Sequence, residues 1–270
     1  MPKIKINGIE LFYEVYGKYN TQGTIVFFNG VMATASSWQS QVDIFVHHGF
    51  KVVVHDLRGQ LKSDKPKGPY SFKQHAHDSM ELMKALSIEK AHMIGTSYGG
   101  EVILTFTLHY PEMVQSIAVI NSVSEVDEAL REGVNEWKRL AQTYDGETFF
   151  RGMLKSVYHP VYLKDNAELL EKRAKQFAAI PKDYFDGQIA LYDTFMNDLN
   201  VTSQLHQIKV PVLIVTGEND ELKPRHFSDL MAKEIKHAQY VIIPECGHVT
   251  IFEKPQTLNP MLLGFVLSQK

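Results

Sequence analysis

Ala91-His92-Met93-Ile94-Gly95-Thr96-Ser97-Tyr98-Gly99-Gly100 is the stretch on which the reading turns. A short apolar run over 91–94 meets a helical pattern starting at Tyr98, and a serine stands at the junction with glycine two positions to either side. Gly-x-Ser-x-Gly at a strand-to-helix turn is the pattern of a nucleophile lifted out of a sheet by a strained backbone. The helix that follows aims its first N–H groups and positive dipole end at the same point. A glycine-rich turn with an incidental serine would account for the pentapeptide alone. Two phosphate-binding readings fail on residue identity. A dinucleotide fingerprint needs glycine where Ser97 stands, and a P-loop needs lysine after Gly100, where the chain has Glu101.

The neighbouring sequence repeats the strand-then-helix unit. Residues 24–28, 51–54, 91–94, 116–120, 212–215 and 240–243 are short, nearly continuous apolar runs, the signature of strands covered on both faces of a parallel sheet. Helical patterns over 37–47, 72–86, 98–109, 224–236 and 255–267 lie between or after them. Residues 9–16 alternate instead, behind a turn at Asn7-Gly8, and predict an antiparallel edge hairpin. The expected fold is therefore α/β: a mostly parallel, twisted sheet with helices on both faces.

The gap between about 122 and 208 is too long for a crossover. Residues 126–198 hold 23 of the 59 charged residues and 11 of the 29 aromatics, which suits amphipathic helices with one wet and one apolar face. We expect a core of residues 1–121 and 209–270, with 122–208 inserted as a helical cap whose turns fall at Asp145-Gly146, His159-Pro160 and Ile180-Pro181. Trp137, Phe149, Met153, Tyr158 and Tyr192, together with Phe150, Phe177 and Met196, are candidates for the wall of a substrate pocket or for the cap's own core.

Composition narrows the function. The net charge of −3, with no run of Lys/Arg longer than two, argues against nucleic acid as a partner. One cysteine, Cys246, permits no intramolecular disulfide and suggests a reducing compartment, so the cytoplasm is expected. Neither a signal peptide nor a membrane span is expected, since no stretch approaches 18 apolar residues. Cys246 lacks the elbow context of a nucleophile and reads as a small buried hydrophobe. The histidines show no metal-binding spacing: His75 and His77 fall on different sides of a helix, and His47-His48 looks like surface. No metal and no cofactor are expected.

A serine hydroxyl needs a base, and the base needs a carboxylate to orient it. Both come late in the chain. Val212-Leu213-Ile214-Val215-Thr216-Gly217-Glu218-Asn219-Asp220 is a strand followed by carboxylates, and Tyr240-Val241-Ile242-Ile243-Pro244-Glu245-Cys246-Gly247-His248 is a strand followed by Gly-His. In a parallel sheet all three groups reach the same carboxyl edge.

Together with Asn29-Gly30-Val31, Asp56-Leu57-Arg58-Gly59 through Ser63-Asp64-Lys65-Pro66, and Glu253-Lys254-Pro255, these segments fall in one order, and the chain resembles the α/β-hydrolase superfamily over nearly its whole length. The resemblance implies Ser97 as nucleophile, His248 as base and Asp220 as orienting acid, with Glu218 as the rival acid. It also implies an oxyanion hole of the backbone N–H groups of Val31 and Tyr98. The implied activity is hydrolysis of a small acyl substrate, a carboxylic ester, lactone or thioester, through an acyl-enzyme. C–C bond hydrolysis, acyl transfer and cofactor-free peroxidation could run on the same triad. A slow-turnover ligand-binding or signalling protein of the same fold is the reading from another class. Dehalogenation and epoxide opening are disfavoured, since both need a carboxylate at the elbow. Two departures stand out: Asn29 where the family usually has histidine, and Leu61 where it usually has glycine. Asp56 and Arg58 are expected to brace their loop.

Overall fold

The computed structural model describes residues 2–269. Among them eight strands form one sheet: β1 (Lys3–Ile6), β2 (Ile9–Tyr16), β3 (Thr24–Phe28), β4 (Lys51–His55), β5 (Ala91–Thr96), β6 (Val114–Ile120), β7 (Val212–Gly217) and β8 (Gln239–Ile243). Their order is β1-β2-β4-β3-β5-β6-β7-β8. β2 runs antiparallel to β1 and β4, and every other pairing is parallel. The predicted hairpin is β1–β2, turned by Asn7 and Gly8, both at positive φ (49° and 79°).

Alternation along the strands builds two cores. Ile25 and Phe27 of β3, with Val52 and Val54 of β4, face α1 (Gln39–His47) and α11 (Pro255–Leu267), packing on Val42, Phe45, Leu258 and Leu262. Val26, Phe28 and Val53 face the other way, onto α2 (Phe72–Ala85) and α3 (Tyr98–His109), where Met80, Val102 and Phe106 receive them. A strand buried on both faces can afford few polar residues, so these segments read as apolar runs. The expected helices over 37–47 and 224–236 come out shorter. A 3-10 turn (Ala35–Trp38) precedes α1, and the later helix, α9, spans Arg225–Glu234.

Between β6 and β7 the chain forms five helices: α4 (Glu128–Gln142), α5 (Gly146–Val157), α6 (Pro160–Asp165), α7 (Ala167–Phe177) and α8 (Lys182–Asp198). Asp127 and Asp145 cap α4 and α5, each accepting a 2.8 Å bond from the N–H three residues on. The three turn signals read from sequence fall at the starts of α5, α6 and α8. On α4, Leu130, Val134, Trp137 and Ala141 are buried at helical spacing, and the helix packs on α8. The short α10 (Thr250–Glu253) follows the loop after β8.

Candidate active site

Ser97 sits directly between β5 and α3 with φ 53° and ψ −124°, a left-handed conformation that a residue with a Cβ adopts only under strain. Close packing enforces it. A Cβ on Gly95 would meet the backbone carbonyl of Gly99 at 2.6 Å, and one on Gly99 would overlap the carbonyl of Phe28 in β3. The turn is fastened from β6: Ser97 N–H donates to the Ile120 carbonyl at 2.8 Å, and Ser122 Oγ donates to the Ser97 carbonyl at 2.8 Å.

His248 lies beyond β8, and its Nε2 is 2.9 Å from Ser97 Oγ. Its Nδ1 is 2.8 Å from Asp220 Oδ2, just beyond β7. An ionised carboxylate only accepts, so Nδ1 carries the ring hydrogen and Nε2 is left to accept from the serine hydroxyl. Such a chain can pass the serine proton to the ring as the oxygen attacks carbon. All three side chains are buried. Glu218, the rival acid, is exposed and instead accepts from the N–H of Glu245.

Asp220 is over-determined. Its Oδ1 accepts from the N–H groups of Leu222 and Lys223 at 3.0 and 2.8 Å, and its Oδ2 also accepts from Asn121 Nδ2 at 2.8 Å. Asn121, just past β6 at φ 49°, is held in turn by Thr250 Oγ1, which donates to its Oδ1 at 2.5 Å. Beneath the serine, Glu101 of α3 is fully buried against the ammonium of Lys223 and accepts from Val123 N–H. Burial raises the Glu101 carboxyl above its ordinary value, and the Lys223 charge opposes that shift. Asn121, Thr250 and the Glu101–Lys223 pair escaped the sequence reading. Only Asn121 and Glu101 carried a signal, their position just after a strand and an elbow.

The candidate oxyanion donors flank the serine. Tyr98 is the first residue of α3, so its N–H has no acceptor inside the helix. Val31 lies in the loop after β3, whose carbonyls are tied down: Gly30 accepts from Gln60 Nε2 at 2.8 Å and Val31 from Gln188 Nε2 at 2.9 Å. The Tyr98 hydroxyl meets His75 Nε2 at 2.9 Å. His75 is therefore a buried anchor, a role its sequence context did not suggest. Burial pushes its pKa down to about 3.

Ser97 and His248 open into a cavity of about 410 Å³ between the sheet edge and the inserted helices. Trp137, Met153 and Tyr158 line it, and so do Phe150 and Phe177. Phe149 and Tyr192 do not, which corrects the sequence expectation, and neither does Met196. Phe149 points into the helix packing, edge-on to Tyr184 and Phe185 at 6.2 and 5.6 Å. Tyr192 packs behind Trp137 at 6.2 Å, and its hydroxyl bonds Gln188. Adjacent residues on a helix point about 100° apart, so only one of Phe149 and Phe150 can face the opening. Cys246 is fully buried, and burial pushes its thiol up to about 12, which suits a packing residue rather than a nucleophile.

A family model described as the alpha/beta hydrolase fold matches residues 23–255. The chain belongs to that family. A metagenomic α/β-hydrolase from the Medee deep-sea basin, MGS-M2, superposes with a TM-score of 0.93 at 26% identity, covering 98% of this chain and 97% of its own. RutD of Azorhizobium caulinodans, which carries the provisional name of a carbamate hydrolase, is 27% identical over 98% of both chains. The 3-oxoadipate enol-lactonase 2 of Acinetobacter baylyi is 26% identical over 93% of this chain and 91% of its own. With these relatives, the chain is a hydrolase of this fold.

Both departures from the usual α/β-hydrolase pattern have a local explanation. Asn29 is fully buried; its amide donates to the His55 carbonyl, Asp56 Oδ1 and Gln60 Oε1, while its Oδ1 accepts from Trp38 Nε1 at 2.8 Å. The asparagine thus knits the loops after β3 and β4 together. In the second loop the left-handed φ falls on Gly59 at 86°, so Leu61 carries no such demand and turns its side chain to the cavity. Asp56 accepts from Ala35 N–H and Lys62 N–H, and Arg58 makes a bidentate pair with Asp78, which is bracing as expected.

Proposed function

We infer that this hydrolase cleaves a carboxylic ester, lactone or thioester with Ser97, His248 and Asp220 as its catalytic triad. The observation that carries this is the continuous chain from Ser97 Oγ through His248 to Asp220, with both links under 3 Å. Ser97 Oγ attacks the acyl carbon while His248 Nε2 takes its proton. The carbonyl oxygen becomes an oxyanion facing the N–H groups of Val31 and Tyr98 and the dipole of α3. As the tetrahedral centre collapses, His248 returns the proton to the leaving oxygen or sulfur, and the acyl group stays on Ser97. Water, deprotonated by the same nitrogen, then attacks the acyl-enzyme, and the proton passes back to Ser97 as the acid leaves. Asp220 fixes the tautomer and stabilises the imidazolium. Residues 122–208 act as a cap that bounds the acyl pocket.

Two relatives favour a particular range of acyl groups. An enol-lactonase acts on a cyclic ester, and a carbamate hydrolase acts on a carbonyl bearing nitrogen; both present a carbon that the same attack can reach. Stopped-flow hydrolysis of p-nitrophenyl butyrate tests the acyl-enzyme directly. The expected trace has a nitrophenolate burst stoichiometric with enzyme, abolished in Ser97→Ala. A wild-type enzyme with no turnover, or an unaffected variant, contradicts the reading.

A further inference from the structure

We propose that Arg173 forms an anion-binding subsite in the cavity and that the substrate is an ester carrying a second, free carboxylate. The proposal rests on the hydrolase reading above and names its substrate class. Among the described residues Arg173 of α7 is the one Lys or Arg side chain lining the cavity, and neither Asp nor Glu lines it. The walls near it are apolar, including Phe177, Ile180 and Phe252.

The Arg173 guanidinium carbon sits 5.3 Å from the centroid of the Phe252 ring. The Tyr158 ring stacks on Tyr162 at 5.0 Å, and burial pushes the Tyr158 hydroxyl up to about 12 while the positive charge of Arg173 and a hydrogen bond from it oppose that shift. Both nearby carboxylates are engaged elsewhere. Glu171, on the same helix, pairs with Arg151 and Lys175. Glu253 accepts from the backbone N–H groups of His159, Gly247 and Val249, and so braces the loop that carries His248. Among the described residues no carboxylate oxygen comes within 4.0 Å of an Arg173 nitrogen.

A half-buried guanidinium held against aromatic rings in an apolar cavity gives up hydration and, beyond its bond to the Tyr158 hydroxyl, keeps its remaining donors for a guest. Its planar fork matches a carboxylate bidentately. Gln176, one turn along α7, lines the same wall and adds an amide donor. An uncharged acyl chain would leave these groups unmatched, whereas one ending in carboxylate would bind at two points, Arg173 and the oxyanion donors, and present its ester carbon to Ser97.

The test compares kcat/KM for the monomethyl esters of glutaric, adipic and suberic acids with the methyl esters of pentanoic, hexanoic and octanoic acids. We expect at least one diacid monoester to exceed its neutral partner by about ten-fold or more, the scale of one charge-assisted hydrogen bond. In Arg173→Met that ratio should collapse toward unity, chiefly through a higher KM for the anionic ester, and Arg173→Lys should recover part of it. Lys175→Met, an exposed cation on the same helix, controls for long-range charge and should keep the wild-type ratio. No anion preference in the wild type, or one that survives Arg173→Met, overturns the proposal. If neither ester series turns over, the hydrolase reading falls instead, and calorimetry with free adipate judges the subsite alone. Saturable binding lost in Arg173→Met supports it, and absence of binding overturns it.

Discussion

Asn121 illustrates what single residues contribute around the triad. It hydrogen-bonds to neither Ser97 nor His248, yet it donates to the Asp220 oxygen that faces the imidazole. Asn121→Ala should leave the fold intact and lower kcat by about ten-fold, roughly 1.4 kcal/mol of lost orientation, with little change in KM. Steady-state kinetics on p-nitrophenyl butyrate measures it. His75 makes a prediction about pH. Its folded pKa, pushed down to about 3 by burial and by the charges of Arg58 and His55, lies below the ordinary value of 6.5. The unfolded chain therefore binds the extra proton between those values, and stability is full above about pH 6.5 and falls as pH drops toward 3, by about 1.4 kcal/mol per unit. Denaturant midpoints measured from pH 7 to pH 4 should fall more steeply for the wild type than for His75→Gln. Parallel slopes would remove His75 from the acid response. Both residues lie outside any motif. Asn121 and His75 look like ordinary turn and helix residues in the chain, since their partners, Asp220 and Tyr98, are 99 and 23 positions away.

At the scale of elements, the elbow depends on how closely β5, α3 and β3 approach. Gly99→Ala places a methyl against the Phe28 carbonyl, which belongs to backbone and cannot rotate aside. Overpacking of this kind costs about 1–3 kcal/mol, so the urea midpoint should drop and activity should fall further than stability does. The Glu101–Lys223 pair ties α3 to the loop carrying Asp220. Lys223→Met alone leaves a buried carboxylate unpaired and should cost about 3–5 kcal/mol, whereas Glu101→Gln combined with Lys223→Met should recover much of it. Urea melts of the single and double variants separate the two outcomes. The elbow itself was legible in the chain because Gly95, Ser97 and Gly99 are local. The ion pair was not, because its two members are separated by 122 positions and each resembles a surface charge.

For the whole molecule, the parallel sheet and the order of its strands' carboxyl ends could be read from apolar runs, because burial on both faces leaves little room for polar residues. The hairpin, the run of helices between β6 and β7 and the turns opening α5, α6 and α8 were equally accessible. Which faces of the inserted helices meet the cavity was not. An amphipathic pattern separates wet from dry, but here the dry side divides again between helix packing and pocket wall, as Phe149 and Phe150 do. Arg173 was hidden for the converse reason: a charge in a charge-rich segment gives no sign that it turns inward. If residues 122–208 bound the acyl pocket, Met153→Trp should shorten the accepted chain. Its kcat/KM for p-nitrophenyl octanoate should fall about ten-fold more than that for the acetate.

The proposed chemistry depends on Ser97 as the nucleophile. Fluorophosphonate labelling followed by mass spectrometry of the peptide spanning residues 91–109 tests that claim most directly. The wild type should take one label per chain, on Ser97, and Ser97→Ala none. An unlabelled wild type, or a label that persists in Ser97→Ala, contradicts it.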